Sequence, residues 1–546
     1  MKRVRWVFKI GCWLVGFGGI GLAIATPAAA AEQIELRYGP FGRSLLVSDL
    51  EAFAETGEIK GSLQQLSGWL SPGQQQALRG GLTTRFEVDP VMVSQFSYTA
   101  SGEQLLREIG DAIQTPSGQN GLYSIRAAII LAAADPEGFS PLNVLRHFPT
   151  DLRINGGRLL GRVRQFFRLL KQTEQTVAAL EQETQAIAAT EPPVDYSQLP
   201  DLREPGAFTV TVETISFYDE TRDRTLITDL YLPDFSASSE PASVPVIVIS
   251  NGLGARRDRF DELALHLASY GFAVAIPDHP GSDRERLLAF YQGLYRENFD
   301  STEYRDRPQD ISFLLDRLEQ LNGGVWGDRL NLEQVGVFGY SFGGTTALSL
   351  AGAQIDPDYL QQACETQLAA FNISLLYQCR ALSLPEATVS MRDERVKAVF
   401  LFYPFGKSLF GETGMRSVEI PVFWQATDQD ILTPLMIEQV PAFERLPGTE
   451  HYLAVSARLP HARVTFDLLG RFAGTTENWA TLRAITQNYQ KALSTAFFSA
   501  YLHQNELYQP YLQATYALSL SEIPFSLSLV RTPTLQAIEN QATQSR

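Results

Sequence analysis

Residues 335–353 carry three local patterns in a fixed order: a β-branched run, Val335-Gly336-Val337-Phe338; a glycine-rich bend, Gly339-Tyr340-Ser341-Phe342-Gly343-Gly344; and a helical pattern, Thr345 to Ala353. A strand that turns directly into a helix around G-x-S-x-G holds its serine in a strained bend at a sheet edge. Gly339 and Gly343 let strand and helix approach closely around that bend. Such a unit needs a parallel sheet, and the sequence supplies one. Short apolar runs recur at Val246–Ile249, Ala273–Ile276, Val335–Phe338, Val396–Phe402, Val422–Trp424 and Tyr452–Val455, with helical stretches between them. Continuous apolar strands separated by helices predict a mostly parallel sheet covered on both faces. Val210–Phe217 and Leu226–Leu232 alternate instead, like an antiparallel pair joined by a polar turn.

The rest of the chain is read around that sheet. At 546 residues it exceeds what one core holds, since single cores stop growing near ~250–300 residues. Residues 32–190 show helical spacing at Ser44–Phe53, Gly102–Ile113, Ser124–Ala134 and Arg158–Ala189, which predicts a smaller all-α domain. Prolines 192, 193 and 200 break periodicity and mark a linker over 191–204. Residues 205–546 form the sheet-containing domain. Within it, residues 357–394 interrupt the strand–helix rhythm as an insertion of the lid or cap kind.

The first 31 residues look like an export leader. Lys2, Arg3, Arg5 and Lys9 precede an apolar run, Ile10–Ala25, and then Pro27 and the small residues Ala28–Ala31. The alternative, an uncleaved anchor, is disfavoured because the run is short and Gly-rich against the ~20 residues a span needs. Cleavage after Ala31 predicts an exported protein (periplasm, lumen or extracellular space) with no integral membrane span. It leaves 41 Lys+Arg against 61 Asp+Glu, a formal charge of −20. So acidic a chain repels phosphate backbones, which excludes nucleic acid as a partner, and its overall charge offers no attraction to an anionic membrane. Cys12 leaves with the leader. Cys364 and Cys379 remain, and in an exporting compartment they predict one disulfide over two free thiols. With no adjacent His they do not form a zinc site.

A serine hydroxyl is a weak nucleophile and needs a base. With the serine at such a bend, acid and His follow it in that order. His451 opens the last apparent strand, at the wrong end, whereas His461 follows that strand's C-terminal end, where open α/β sheets place their catalytic groups. His461 is the candidate base, and His503 belongs to a C-terminal helix. Asp428 and Asp430 both follow Val422–Thr427, and either could orient the imidazole. Asp430 is preferred because it stands further beyond the strand, where the loop can turn toward His461. Oxyanion donors are expected from the backbone N–H of Phe342 and of Leu253, in the loop Ser250–Gly254. Asn251, Gly252, His279 and Tyr340 are the expected pocket residues. Asp278 and His279 precede Ser341, the wrong order for the catalytic set, so they are read as pocket-wall or structural residues. No metal or cofactor is required.

Ser250-Asn251-Gly252-Leu253-Gly254, Leu267–Val274, Asp278-His279-Pro280-Gly281-Ser282 and the bend at Ser341 together resemble the platelet-activating-factor acetylhydrolases and related dienelactone-hydrolase-like proteins, over most of residues 205–470. Asp430 and Pro434 match that family's D-x-x-x-P acid loop. Asn251 stands where the family usually has His, and Tyr340 where His is frequent. The resemblance implies an α/β-hydrolase fold and hydrolysis of short or oxidised acyl esters, phospholipids among them. Residues 32–190 resemble the helical domain of unknown function that precedes such hydrolases in cyanobacterial proteins. The function expected is therefore a serine ester hydrolase with a small-molecule ester or lipid substrate. An acyltransferase or thioesterase on the same residues, or a non-catalytic lipid- or partner-binding protein, are the alternatives. Oligomeric state is not legible.

Overall fold

The computed structural model describes residues 30–66, 68, 71–234, 243–384, 389–463 and 477–531. The expected leader lies outside these except for its end; Ala31 is buried and donates its N–H to Phe148 O at 2.9 Å.

The N-terminal unit corrects the all-α expectation. It holds a four-stranded sheet of β1 (Gln33–Tyr38), β2 (Phe41–Leu46), β3 (Ile113–Gln114) and β4 (Leu152–Asn155), in the order β2-β1-β4-β3. The cause is local. Gly39, at φ +58°, turns the chain back on itself, so Phe41–Leu46 pairs with β1 before any helix can start. The apolar spacing from Ser44 onward is thus split between a strand and the helix Val47–Thr56. The other three helical stretches form as Ala100–Gly110, Leu122–Ala134 and Gly156–Ala188.

The second sheet has nine strands: β5 (Val210–Asp219), β6 (Arg224–Pro233), β7 (Val244–Ser250), β8 (Ala273–Pro277), β9 (Leu330–Tyr340), β10 (Val396–Phe402), β11 (Val422–Gln429), β12 (His451–Pro460) and β13 (Leu527–Arg531). Their order is β13-β12-β11-β10-β9-β7-β8-β6-β5. The six strands from β12 to β8 run parallel; β6 and β5 at one side and β13 at the other are antiparallel additions. Successive strand residues face opposite sides, which is why these runs are apolar throughout. Val246, Val248, Val335, Val337, Val399, Leu401 and Trp424 enter one core. Ile247, Ile249, Phe338, Phe400, Phe423 and Tyr452 enter the other. The last four rings stack across β9, β10, β11 and β12, with centroids 5.2, 4.7 and 5.8 Å apart. Phe497 and Phe498 of the helix Trp479–Tyr501 pack on that row. Aromatic contacts of this kind contribute about 0.5–1.5 kcal/mol each beyond area burial, so the strands that carry the site are held as a plate.

The long helix Gly156–Ala188 spans both units. Its far end enters the large core: Leu180 is fully buried, and Thr184 Oγ1 accepts Leu529 N–H at 3.1 Å. The segment after it is fastened down. Glu191 accepts the N–H groups of Ala514 and Thr515, and Leu202 is buried. The insertion folds as helices Pro357–Thr366 and Ile373–Gln378, tied by the Cys364–Cys379 disulfide. It touches both neighbours. Glu108 of the N-terminal unit accepts Ala369 N–H and Ala370 N–H at 3.1 and 3.0 Å, and Ser374 N–H donates to Leu432 O at 2.8 Å. Among the described residues, no helix is long and apolar enough to cross a membrane.

Candidate active site

Ser341 leaves β9 and starts the helix Phe342–Leu350 at φ +53°, ψ −114°. A non-glycine residue in that region costs on the order of 1–3 kcal/mol and persists only where its surroundings impose it. They do here. Ser341 N–H donates to Phe402 O of β10 at 2.9 Å, and Gly344 N–H donates back to Ser341 O at 2.9 Å. The flanking glycines are steric necessities: a Cβ on Gly339 would lie 2.3 Å from Gly343 O, and one on Gly343 would lie 1.9 Å from Ser250 O.

The loop after β7 runs against the same bend. A Cβ on Gly252 would come within 2.9 Å of the Tyr340 ring and 3.4 Å of Ser341 Cβ. Leu253 is the next residue. Among the described residues, neither its N–H nor that of Phe342 has a hydrogen-bond partner, so two amide donors beside the serine are unused. Asn251 is buried, and among the described residues neither polar atom of its side-chain amide has a partner.

Asp430 and His461 meet at the C-terminal ends of β11 and β12. His461 Nδ1 donates to Asp430 Oδ2 at 2.6 Å, and both side chains are buried. Asp430 also accepts Leu432 N–H (2.8 Å), Thr433 N–H (2.9 Å) and Thr433 Oγ1–H (2.5 Å). Burial pushes its carboxyl up, but the His461 charge and these hydrogen bonds outweigh it and hold the pKa below the ordinary value. The imidazole is sandwiched by tyrosines: the Tyr340 and Tyr403 rings lie 5.4 and 5.3 Å from it, and Tyr340 OH donates to His461 O at 3.1 Å. His461 Nε2 has no hydrogen bond among the described residues, to Ser341 Oγ or to any other group.

The competing residues are placed elsewhere. Asp428 accepts Arg458 N–H at 2.6 Å, where Arg458 adopts φ +61°, and burial raises its carboxyl. His451 sits at the opposite end of β12, bonded to Pro447 O, and the His503 ring packs 4.3 Å from Phe272. His279, expected to be a pocket-wall or a structural residue, is placed in the second role. It is buried, with Nε2 3.0 Å from Ser250 Oγ and Nδ1 3.1 Å from Asp310 Oδ2. Asp310 in turn accepts bonds from Arg222 and, through both oxygens, from Arg224. The strand end that suggested a pocket wall instead turns its imidazole into a buried ionic network.

Three supporting side chains were not visible in the sequence. Thr433 bonds Asp430 and lies 3.4 Å from His461 Nδ1. Gln439 donates to Thr433 Oγ1 (2.6 Å) and accepts the Trp424 indole N–H (2.6 Å). Glu438 is buried and accepts four bonds, from Gly406, Lys407, Asn372 and Gln378, tying the acid loop to β10's exit and to the insertion. Only Thr433 carried a signal, as a hydroxyl three residues after a loop aspartate, the spacing of an Asx-type turn.

A cleft of about 630 Å³ opens on the His461 side, between the Gly254–Phe260 segment and the helix Trp479–Tyr501; Ser341 is not on its wall. That wall carries six cations, Arg256, Arg259, Arg284, Arg463, Arg483 and Lys491, against two carboxylates, Asp258 and Glu262. Asp258 is paired with Arg256, and Glu262 accepts from Gln487. Among the described residues Arg259, Arg284, Arg483 and Lys491 have no ion-pair partner; Arg259 lies 4.4 Å over the Tyr340 ring. In a chain with a formal charge of −16 this is a local inversion of sign. Among the described residues, no group of three or more His, Cys, Asp or Glu is placed to hold a metal ion.

Residues 30–155 match a family model described as alpha/beta hydrolase of unknown function (DUF1400), and residues 245–362 match one described as alpha/beta hydrolase fold. The second match covers the Leu253 loop and the Ser341 bend. No curated protein matches the chain. With the parallel sheet and these two matches, the chain carries α/β-hydrolase-type domains: it has the α/β-hydrolase fold, with an additional domain before it.

Proposed function

We propose that this chain is a serine carboxylic-ester hydrolase acting on lipid-like or short-acyl esters. The observation that carries the proposal is the 2.6 Å bond between His461 Nδ1 and Asp430, which leaves Nε2 unspent at the same sheet edge as Ser341. In this mechanism Nε2 removes the Ser341 hydroxyl proton as Oγ attacks the ester carbonyl. The N–H groups of Leu253 and Phe342 receive the oxyanion, and Asp430 stabilises the imidazolium. The imidazolium then gives its proton to the leaving alkoxide. Water, deprotonated by His461, cleaves the acyl-serine ester and restores the hydroxyl. The missing Oγ–Nε2 bond is compatible with this scheme, because such bonds are often long without substrate.

The cationic cleft beside His461 favours esters with an anionic group near the scissile bond, which suits a phospholipid-like substrate. The motifs shared with platelet-activating-factor acetylhydrolases point the same way, and the disulfide is consistent with an exported protein. The test is p-nitrophenyl acetate hydrolysis together with labelling by a fluorophosphonate probe. Ser341→Ala should lose about 10⁴–10⁶-fold in kcat and all labelling. A variant as active as the parent, or labelling at another serine, would overturn the proposal.

A further inference from the structure

We propose that the exposed first half of the long helix Gly156–Ala188 is a docking surface for an anionic lipid bilayer. The inference stands apart from the hydrolase proposal and needs no enzyme assay. Leu159, Leu160, Val163, Phe166, Phe167 and Leu170 are each 39–62% exposed. At about 100° per residue these six fall within an arc of roughly 120°. They form one exposed apolar stripe on a helix whose far half packs a single face, through Leu180 and Thr184, on the large core. Single exposed apolar residues need no explanation, but a contiguous stripe of this kind does.

The charges around the stripe say what covers it. Residues 156–173 contain five cations, Arg158, Arg162, Arg164, Arg168 and Lys171, and no Asp or Glu. By the same helical angle Arg164, Arg168 and Lys171 flank one side of the stripe, and Arg158 and Arg162 flank the other. Arg158 and Arg162 also hold the helix to the N-terminal unit, through Asp111 and Glu108 O. Arg164, Arg168 and Lys171 have no ion-pair partner among the described residues. A Leu/Phe stripe bordered by Lys and Arg is the composition of a helix lying in a membrane interface. The chain's acidic total does not oppose this: surface charges beyond about 8–10 Å are screened, so the cations at the contact decide. A second copy of the helix is a poorer partner, since it would bring the same unneutralised cations together.

The experiment is vesicle cosedimentation of the full chain with phosphatidylglycerol–phosphatidylcholine vesicles and with phosphatidylcholine alone. Parent and variants share every other membrane-active segment, so their difference reads this helix. Binding should favour the anionic vesicles and weaken as salt is raised. The triple variant R164Q/R168Q/K171Q keeps the apolar stripe and should bind about 100-fold more weakly, at roughly fivefold per cation. F166S/F167S should lose at least about tenfold. Because these side chains face solvent, both variants should melt like the parent. Three results would overturn the proposal: no sedimentation of the parent with anionic vesicles, undiminished binding of both variants, or a parent dimer that F166S/F167S dissociates without any vesicle binding.

Discussion

Among the described residues two His–Asp pairs are buried, one bonded to Ser250 and one at the same sheet edge as Ser341, and they differ in what is left unspent. His279 uses both ring nitrogens, one toward Ser250 Oγ and one toward Asp310, whose carboxylate is also held by Arg222 and Arg224. Ser250 is fully buried. Among the described residues His461 uses only Nδ1, and Ser341, on the same C-terminal edge of the sheet, is partly exposed at a strained bend with two unused amide donors beside it. The more completely hydrogen-bonded His–Asp pair, with its serine, is therefore the one shut away from solvent. Full satisfaction is what a buried polar network needs to be stable, whereas a working site must keep donors and acceptors free for the reacting atoms.

Exchanging single residues between the two sets breaks or sharpens this contrast. The largest effect should be the Ser341→Ala loss set against Ser250→Ala. The second variant should hydrolyse p-nitrophenyl acetate within about threefold of the parent, since Ser250 only closes a network. Equal losses would erase the distinction. Next, Asp430→Asn should lower kcat by about 10⁴, through the wrong imidazole tautomer. Asp428→Asn should cost under about tenfold, because Asp428 serves the Arg458 backbone. A comparable loss in both would mean that the acid loop acts as one unit. Asp310→Asn should act on stability instead. It leaves Arg222 and Arg224 short of a buried counter-charge, a cost of about 3–5 kcal/mol. The melting midpoint should fall while kcat per folded molecule stays near the parent's.

The strands, the Ser341 bend and the places of Asp430 and His461 beyond their strands were legible because each rests on a short-range pattern: apolar runs, glycines that a Cβ would displace, a loop after each strand. The hairpin of β1 and β2 was not, because the same apolar spacing serves a strand to Leu46 and a helix from Val47; the turn at Gly39 decides, and its effect is tertiary pairing. Which of its two roles His279 takes was not legible for a related reason. Its position at a strand end was visible, but the direction of its ring depends on Asp310, 31 residues on in a helix. Net charge hid the basic stretch of the long helix and the cationic cleft, since a sum over the chain says nothing about a patch.

The smallest effect expected is a change of pH slope, and it asks whether His279 is as inert as the contrast requires. Burial, with Arg307 nearby, pushes His279 down to about 4. The folded protein then keeps it neutral while the unfolded chain protonates near ~6.5. With the folded value below the unfolded one, its contribution is intact above ~6.5 and is lost as pH falls toward 4, by at most about 1.4 kcal/mol per pH unit. Two carboxyls run the other way: burial raises Asp278 to about 6 and Glu303 to about 7, so their protonation in the folded state stabilises it as pH falls through those values. His279→Gln keeps hydrogen-bonding capacity toward Ser250 and Asp310 but takes up no proton, so it removes this one destabilising uptake and leaves those of His266, His451 and His503 in place. The gap between parent and variant melting midpoints should shift in the variant's favour as pH is lowered from 7 to 4.5. Parallel curves would mean that His279 takes up its proton equally in the folded and unfolded chains, and that the fold does not hold its imidazole neutral.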